Sequence, residues 1–216
     1  MGILSVSQEF CLFVIDSAGR ISGPQSSNSK KAVVASAILD LIDGGYIALL
    51  ENFHAVLAKS WDGALPQAQF AYSALTSLLK SPRHLRGLAP MLDSTSCPAD
   101  KLSVDICKTL MHHGCAVEAP GIKLFGETPR RYPKPEAQNR AIHRLRDSIL
   151  GNVTEPQVFS LSALLEYCQI FQECFTSSEL EGAYARLREG GMPFAIPLVL
   201  VGDARAIEIC EDYWQG

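Results

Sequence analysis

The chain has 216 residues, 47% of them hydrophobic and 19% charged, with a net charge of −4 and a pI of about 5.7. That balance suits one globular domain spanning residues 1–216 and excludes disorder as the default. It also counts against a duplex-binding domain, which is normally strongly basic. Seven cysteines, an odd number with no Cys-x-x-Cys pair, fall mostly in apolar runs and read as reduced thiols of a cytoplasmic protein.

No apolar run approaches the ~18 residues needed to span a bilayer. The N-terminus lacks the basic region of a signal peptide, and "MGILSVS" misses the myristoylation pattern because Val6 stands at the hydroxyl position. A soluble or peripheral protein is expected.

Helical periodicity dominates. Residues 30–43 are apolar on almost every side except a stripe of Ser36, Asp40 and Asp43, which predicts a nearly buried helix stopped by Gly44-Gly45. Residues 46–60 read as a strand pair turning near Asn52. Residues 66–80 place Ala68, Ala71, Tyr72, Leu75, Leu78 and Leu79 on one helical face. Ser81-Pro82 and Cys97-Pro98 each put proline where a helix starts. The second of these helices carries Leu102, Ile106 and Leu110 and ends before Gly114.

Residues 115–125 read as a second strand pair, turning at Pro120-Gly121. Pro135-Glu136 opens a helix with Ile142, Leu145 and Ile149 inward, ending at Gly151. Residues 158–175 form a further apolar stripe. Ser178 with Glu181 makes a capping-box pattern, and 194–213 is compatible with strand or helix, with helix favoured from about Pro197. The predicted fold is mainly α: a single helical domain with a projecting β-hairpin and a second short hairpin near 46–60.

Few residues nominate chemistry. Cys107, His112, His113 and Cys115 have metal-ligand character, but helical spacing turns Cys107 and His112 apart and no second group closes the sphere. No nucleophile elbow, dinucleotide-binding fingerprint or phosphate loop is present. Asp203, Glu208, Glu211 and Asp212 read as a solvated helix face. The basic run is more informative: Arg130, Arg131, Lys134, Arg140, Arg144 and Arg146 lie within seventeen residues of an acidic protein. Arg140 and Arg144 share a helical face, and such a run suits anionic headgroups, while a face laced with internal salt bridges is the plainer alternative.

The segments "LFVIDSAGRIS", "ASAILDLIDGGYIAL", "KTLMHHGCAVEAPGIKLFGETPRRYPKPEAQNRAIHRLRDSIL" and "LSALLEY", in this order, resemble the Golgi phosphoprotein 3 family, bacterial members included. The resemblance runs from about residue 8 to the end and implies one helical domain with a projecting hairpin. It also implies a non-enzymatic peripheral membrane adaptor that needs no cofactor or metal and binds phosphatidylinositol 4-phosphate and the cytosolic tails of glycosyltransferases. The hairpin, carrying Val117, Ile122, Leu124 and Phe125, would serve membrane contact and self-association. The family's headgroup pocket uses a Trp and three Arg. The corresponding positions here fall near Gln25, Val34, Asp100 and Ser103, which leaves specific recognition of that lipid in question. Lys30, Lys31 and Lys101 lie nearby without matching the motif.

The leading expectation is therefore an adaptor on the cytosolic face of a membrane. Arg130, Arg131, Lys134, Arg140 and Arg144 would meet anionic lipid or protein tails, and the hairpin would support a homo-oligomer. The alternatives are a winged-helix-like nucleic-acid binder, disfavoured by the weakly basic helices before each hairpin, and an enzyme with an unidentified site.

Overall fold

The computed structural model describes residues 4–120, 129–151 and 155–205. At its centre lies α2 (Ser26–Asp43), in which Ala32, Val33, Val34, Ala35, Ala37, Ile38 and Leu41 are completely buried. Those positions point around the whole helix, so one neighbour cannot cover them. α1 (Val6–Val14), α4 (Leu88–Thr95), α5 (Ala99–His112), α7 (Pro156–Tyr167) and α9 (Gly191–Val201) pack around it. Each fully buried Val, Leu or Ile contributes roughly 1.5–3 kcal/mol relative to exposure. The buried side chains form one continuous cluster. Among the described residues there are nine α-helices and five short strands, the mainly α architecture that the sequence predicts.

Of the polar stripe of α2, only Asp43, at the helix end, is open to solvent. Ser36 is fully buried and its hydroxyl donates to the Val33 carbonyl at 2.8 Å. Asp40, also buried, faces the N-terminus of α1. Its carboxylate accepts from Ser5 Oγ (2.7 Å), Ser7 N (3.1 Å), Ser7 Oγ (2.5 Å) and Gln67 Nε2 (3.2 Å). Ser5 and Gln8 close a capping box on the same turn. The first N–H groups of α1 thus find partners, and a carboxylate sits at the positive end of its dipole; burial raises the Asp40 pKa, opposed by the bonds from Ser7, Ser5 and Gln67.

The predicted strand pair at 46–60 forms as β1 (Ile47–Leu49) and β2 (His54–Leu57), with Asn52 and Phe53 in left-handed backbone at the turn. Ser81-Pro82 does not open a helix. It leads into a third strand, β3 (Arg83–His84), because the Leu85 N–H donates to the Phe53 carbonyl at 2.9 Å and the Leu85 side chain is buried. The helix predicted over 66–80 is shorter, α3 (Gln69–Leu75), preceded by a 3-10 turn at Pro66–Ala68.

The predicted 158–175 helix is broken. α7 ends at Tyr167, Gln169 takes a left-handed conformation (φ 61°), and a 3-10 turn covers Phe171–Cys174. The cap of α8 (Leu180–Arg188) is not Ser178–Glu181. Thr176 donates from its N and Oγ1 to Glu179 Oε2, both at 2.8 Å, so the turn before the helix is fastened in one direction only and α8 has no side-chain cap. α9 begins at Gly191, earlier than predicted, and ends at Val201, while 206–213 of the predicted stretch lie outside the described residues. It runs through Pro197. A proline there removes the bond to the carbonyl four residues back, that of Pro193. Ser160 Oγ on α7 donates to that carbonyl at 2.9 Å, so the freed acceptor is satisfied by the neighbouring helix.

Candidate anionic-surface site

The hairpin differs from the tight turn predicted at Pro120-Gly121. β4 (Ala116–Ala119) pairs antiparallel with β5 (Arg130–Pro133), matching Val117 with Tyr132 and Glu118 with Arg131. The strand that pairs with β4 is thus "RRYP", while "KLF" lies outside the described residues. The cross-strand ion pair Glu118–Arg131, at 2.6 Å, selects this register. Val117 is half-buried on β4; Ile122, Leu124 and Phe125 lie outside the described residues. The turn before Ile21 supports the stem from outside: Gly19 (φ +73°) approaches so closely that a Cβ there would lie 2.9 Å from the Arg131 carbonyl oxygen.

α6 (Pro135–Leu150) follows at once, with Pro135 at its first turn and Ala137, Ala141, Leu145 and Ile149 buried. Its opposite face carries the rest of the basic run. Arg144 lies between two carboxylates, pairing with Glu9 of α1 and with Glu155 (2.7 Å). Arg146 pairs with Glu179 at 2.6 Å. Arg130 Nε donates to the Pro120 carbonyl at 3.2 Å, a bond that leaves its charge uncompensated. Lys134 and Arg140 have no carboxylate partner among the described residues.

The run thus divides. Arg131, Arg144 and Arg146 are held in internal ion pairs, while Arg130, Lys134 and Arg140 keep their charge for the outside. The carboxylates that consume the others were not legible, because Glu9 lies 135 residues from Arg144 in the chain.

Between α1 and α6 lies an open cleft of about 590 Å³, with Leu12, Ala137 and Ala141 on its apolar side and Arg140, Arg144 and Glu155 among its polar residues. Glu9 is 7% exposed beneath it. Burial pushes the Glu9 carboxyl up to about 6, against the opposing pull of the Arg144 guanidinium. At neutral pH the two remain an ion pair that ties α6 to α1.

The four Cys and His residues of interest do not converge. Cys107 and Cys115 are buried, whereas His112 and His113 are exposed. No group of three or more Cys, His, Asp or Glu suited to a metal ion occurs among the described residues. Burial pushes the thiols of Cys97, Cys107, Cys168 and Cys174 up to about 12, so these four stay protonated at neutral pH and are poor nucleophiles. The headgroup positions of the suggested family are no more cationic in space. Val34 is buried in α2, and Asp100 pairs with Lys30 at 2.6 Å. Ser103 is buried and its hydroxyl donates to the Asp100 carbonyl at 3.0 Å.

No helix among the described residues is long and apolar enough to cross a membrane. No family model and no curated protein sequence matches the chain.

Proposed function

We propose that the chain is a non-enzymatic peripheral adaptor of the Golgi phosphoprotein 3 type, applying the foot of its β4–β5 hairpin and the start of α6 to an anionic membrane surface. Arg130, Lys134 and Arg140 are the contact residues. Arg131 and Arg144, also expected there from the sequence, serve instead to brace the stem and the α1–α6 junction. The observation that carries this reading is the division of the basic run: three of its six cations have no carboxylate partner among the described residues, in a chain whose net charge is −4. Each such cation contributes about 1 kcal/mol near an anionic leaflet. Cytosolic protein tails are a second class of partner for the same surface, and the hairpin is the proposed element of self-association.

Co-sedimentation of the full chain with phosphatidylcholine vesicles, with and without phosphatidylserine, tests this. Binding only to the anionic vesicles, weakened by the triple substitution Arg130→Gln, Lys134→Gln, Arg140→Gln, is expected. A triple variant that binds as well as the wild type would remove these residues from the site.

A further inference from the structure

A different part of the molecule carries a denser uncompensated charge. The segment Lys80-Ser81-Pro82-Arg83-His84-Leu85-Arg86 runs from the end of the α3 region through edge strand β3. Every residue in it except Leu85 is exposed. Lys80, Arg83 and Arg86 have no ion pair with any described residue. His84 stands directly opposite His54 on β2, their rings 5.2 Å apart and edge to face. The Arg86 N–H donates to His84 Nδ1 at 2.9 Å, which fixes that ring and leaves its Nε2 as the donor. On the same sheet the β1–β2 turn holds Leu50, at 43% exposure one of two large aliphatic side chains left open among the described residues. Its N–H is bonded to the His54 carbonyl at 2.7 Å, so the turn is tied to the strand beneath the histidine pair. Glu51, exposed in that turn, is one carboxylate against three permanent cations.

Charges on an edge strand have an ordinary purpose, since they discourage pairing with another sheet. That accounts for Arg83. It does not account for Lys80 and Arg86, which lie outside the strand, or for an open leucine in the β1–β2 turn of the same sheet.

We propose that the β3 edge is a second docking surface, independent of the hairpin foot, for an anionic lipid bilayer. Lys80, Arg83 and Arg86 meet the headgroup phosphates, and Leu50 enters the headgroup–acyl boundary. Charge complementarity argues for an anionic occupant. The aliphatic neighbour argues for lipid over nucleic acid, because leucine partitions into acyl chains but offers a base no stacking face.

The test uses the full chain and the same two vesicle types at low salt. Each neutralised cation is expected to weaken binding to the phosphatidylserine vesicles about fivefold, and Lys80→Gln, Arg83→Gln, Arg86→Gln together about a hundredfold. Leu50→Ser should weaken binding without altering its salt dependence. All four positions are exposed, and an unchanged thermal melt would show that the variants fold.

Three outcomes overturn the proposal: a K80Q/R83Q/R86Q variant that binds like wild type, equal wild-type binding to neutral vesicles, or displacement of vesicle-bound protein by duplex DNA at equal phosphate. If only R130Q/K134Q/R140Q loses binding, the hairpin foot stands and the β3 edge falls. If only K80Q/R83Q/R86Q loses it, the reverse holds.

Discussion

Replacing Asp40 should be among the most damaging single changes in this chain. The carboxylate is 2% exposed and receives four hydrogen bonds, from two hydroxyls, a side-chain amide and the N–H of Ser7. Asp40→Ala leaves the Ser7 N–H without an acceptor and the Gln67 amide with only its 3.3 Å bond to Ser5 Oγ, removes the carboxylate from the start of α1 and opens a small cavity. An unsatisfied buried donor costs about 1–3 kcal/mol, and hydrogen bonds to a charged group contribute somewhat more than neutral ones. The serine hydroxyls can rotate to other partners, so the losses are less than additive, and about 4 kcal/mol is expected in total. For a chain of this size that lowers Tm by about 8–16 °C.

Asp40→Asn keeps one acceptor for the Ser7 N–H but turns an NH2 toward the remaining donors. It should cost about 2 kcal/mol, because the hydroxyls can accept whereas the Gln67 amide must flip. Urea unfolding followed by circular dichroism measures both, and a double-mutant cycle with Ser7→Ala should return a coupling above 1 kcal/mol. A loss below about 1 kcal/mol for Asp40→Ala would refute the reasoning, since the network would then be tolerating water or partners of its own.

Other outcomes follow from the same structure. Glu9 keeps its proton to higher pH when folded (about 6) than its ordinary value of 4.5, so the folded state binds more protons between those values and stability falls as pH rises through them. The change is about 2 kcal/mol, and a wild-type-minus-Glu9→Gln difference curve from unfolding at several pH values should isolate it. Gly19→Ala meets both a left-handed φ and the Arg131 carbonyl, and should cost 1 kcal/mol or more, loosening the β4–β5 stem in hydrogen exchange. Six cysteines of the described residues are buried and unpaired, so they should resist Ellman's reagent in the native protein and react together on unfolding. Ser160→Ala strands the Pro193 carbonyl at the α7–α9 contact and should destabilise by about 1–2 kcal/mol in the same urea assay.

The sequence was most readable where one side of a helix is apolar. α5 and α6 follow their stripes of Leu102, Ile106, Leu110 and of Leu145, Ile149. α1 escaped notice because it is buried nearly all round, with Ser7, Gln8 and Glu9 among its buried residues, and so it has no polar face to set a period. The end of α7 was missed because the left-handed residue is Gln169, where a reader looks for glycine.

β5 was missed for a different reason. "RRYP" does not alternate, and its strand character comes from Glu118 and the backbone of β4 across the pair. The basic run shows the same limit. Spacing places Arg140 and Arg144 on one face, but only the folded chain brings Glu9 and Glu155 to Arg144 and leaves Arg140 without a partner. In the segment from Lys80 to Arg86 the proline signals a helix start, and only the folded chain shows that its three cations have no ion-pair partner among the described residues.

The most direct test of the account is a salt titration of wild-type binding to phosphatidylserine-containing vesicles, with phosphatidylcholine vesicles alongside. Cations without internal partners predict strong binding at low salt that falls at least tenfold as ionic strength reaches the physiological range, and little binding to the neutral vesicles. Salt-insensitive binding, or equal binding to both vesicle types, would contradict the claim that this chain meets an anionic surface through its unpaired basic residues.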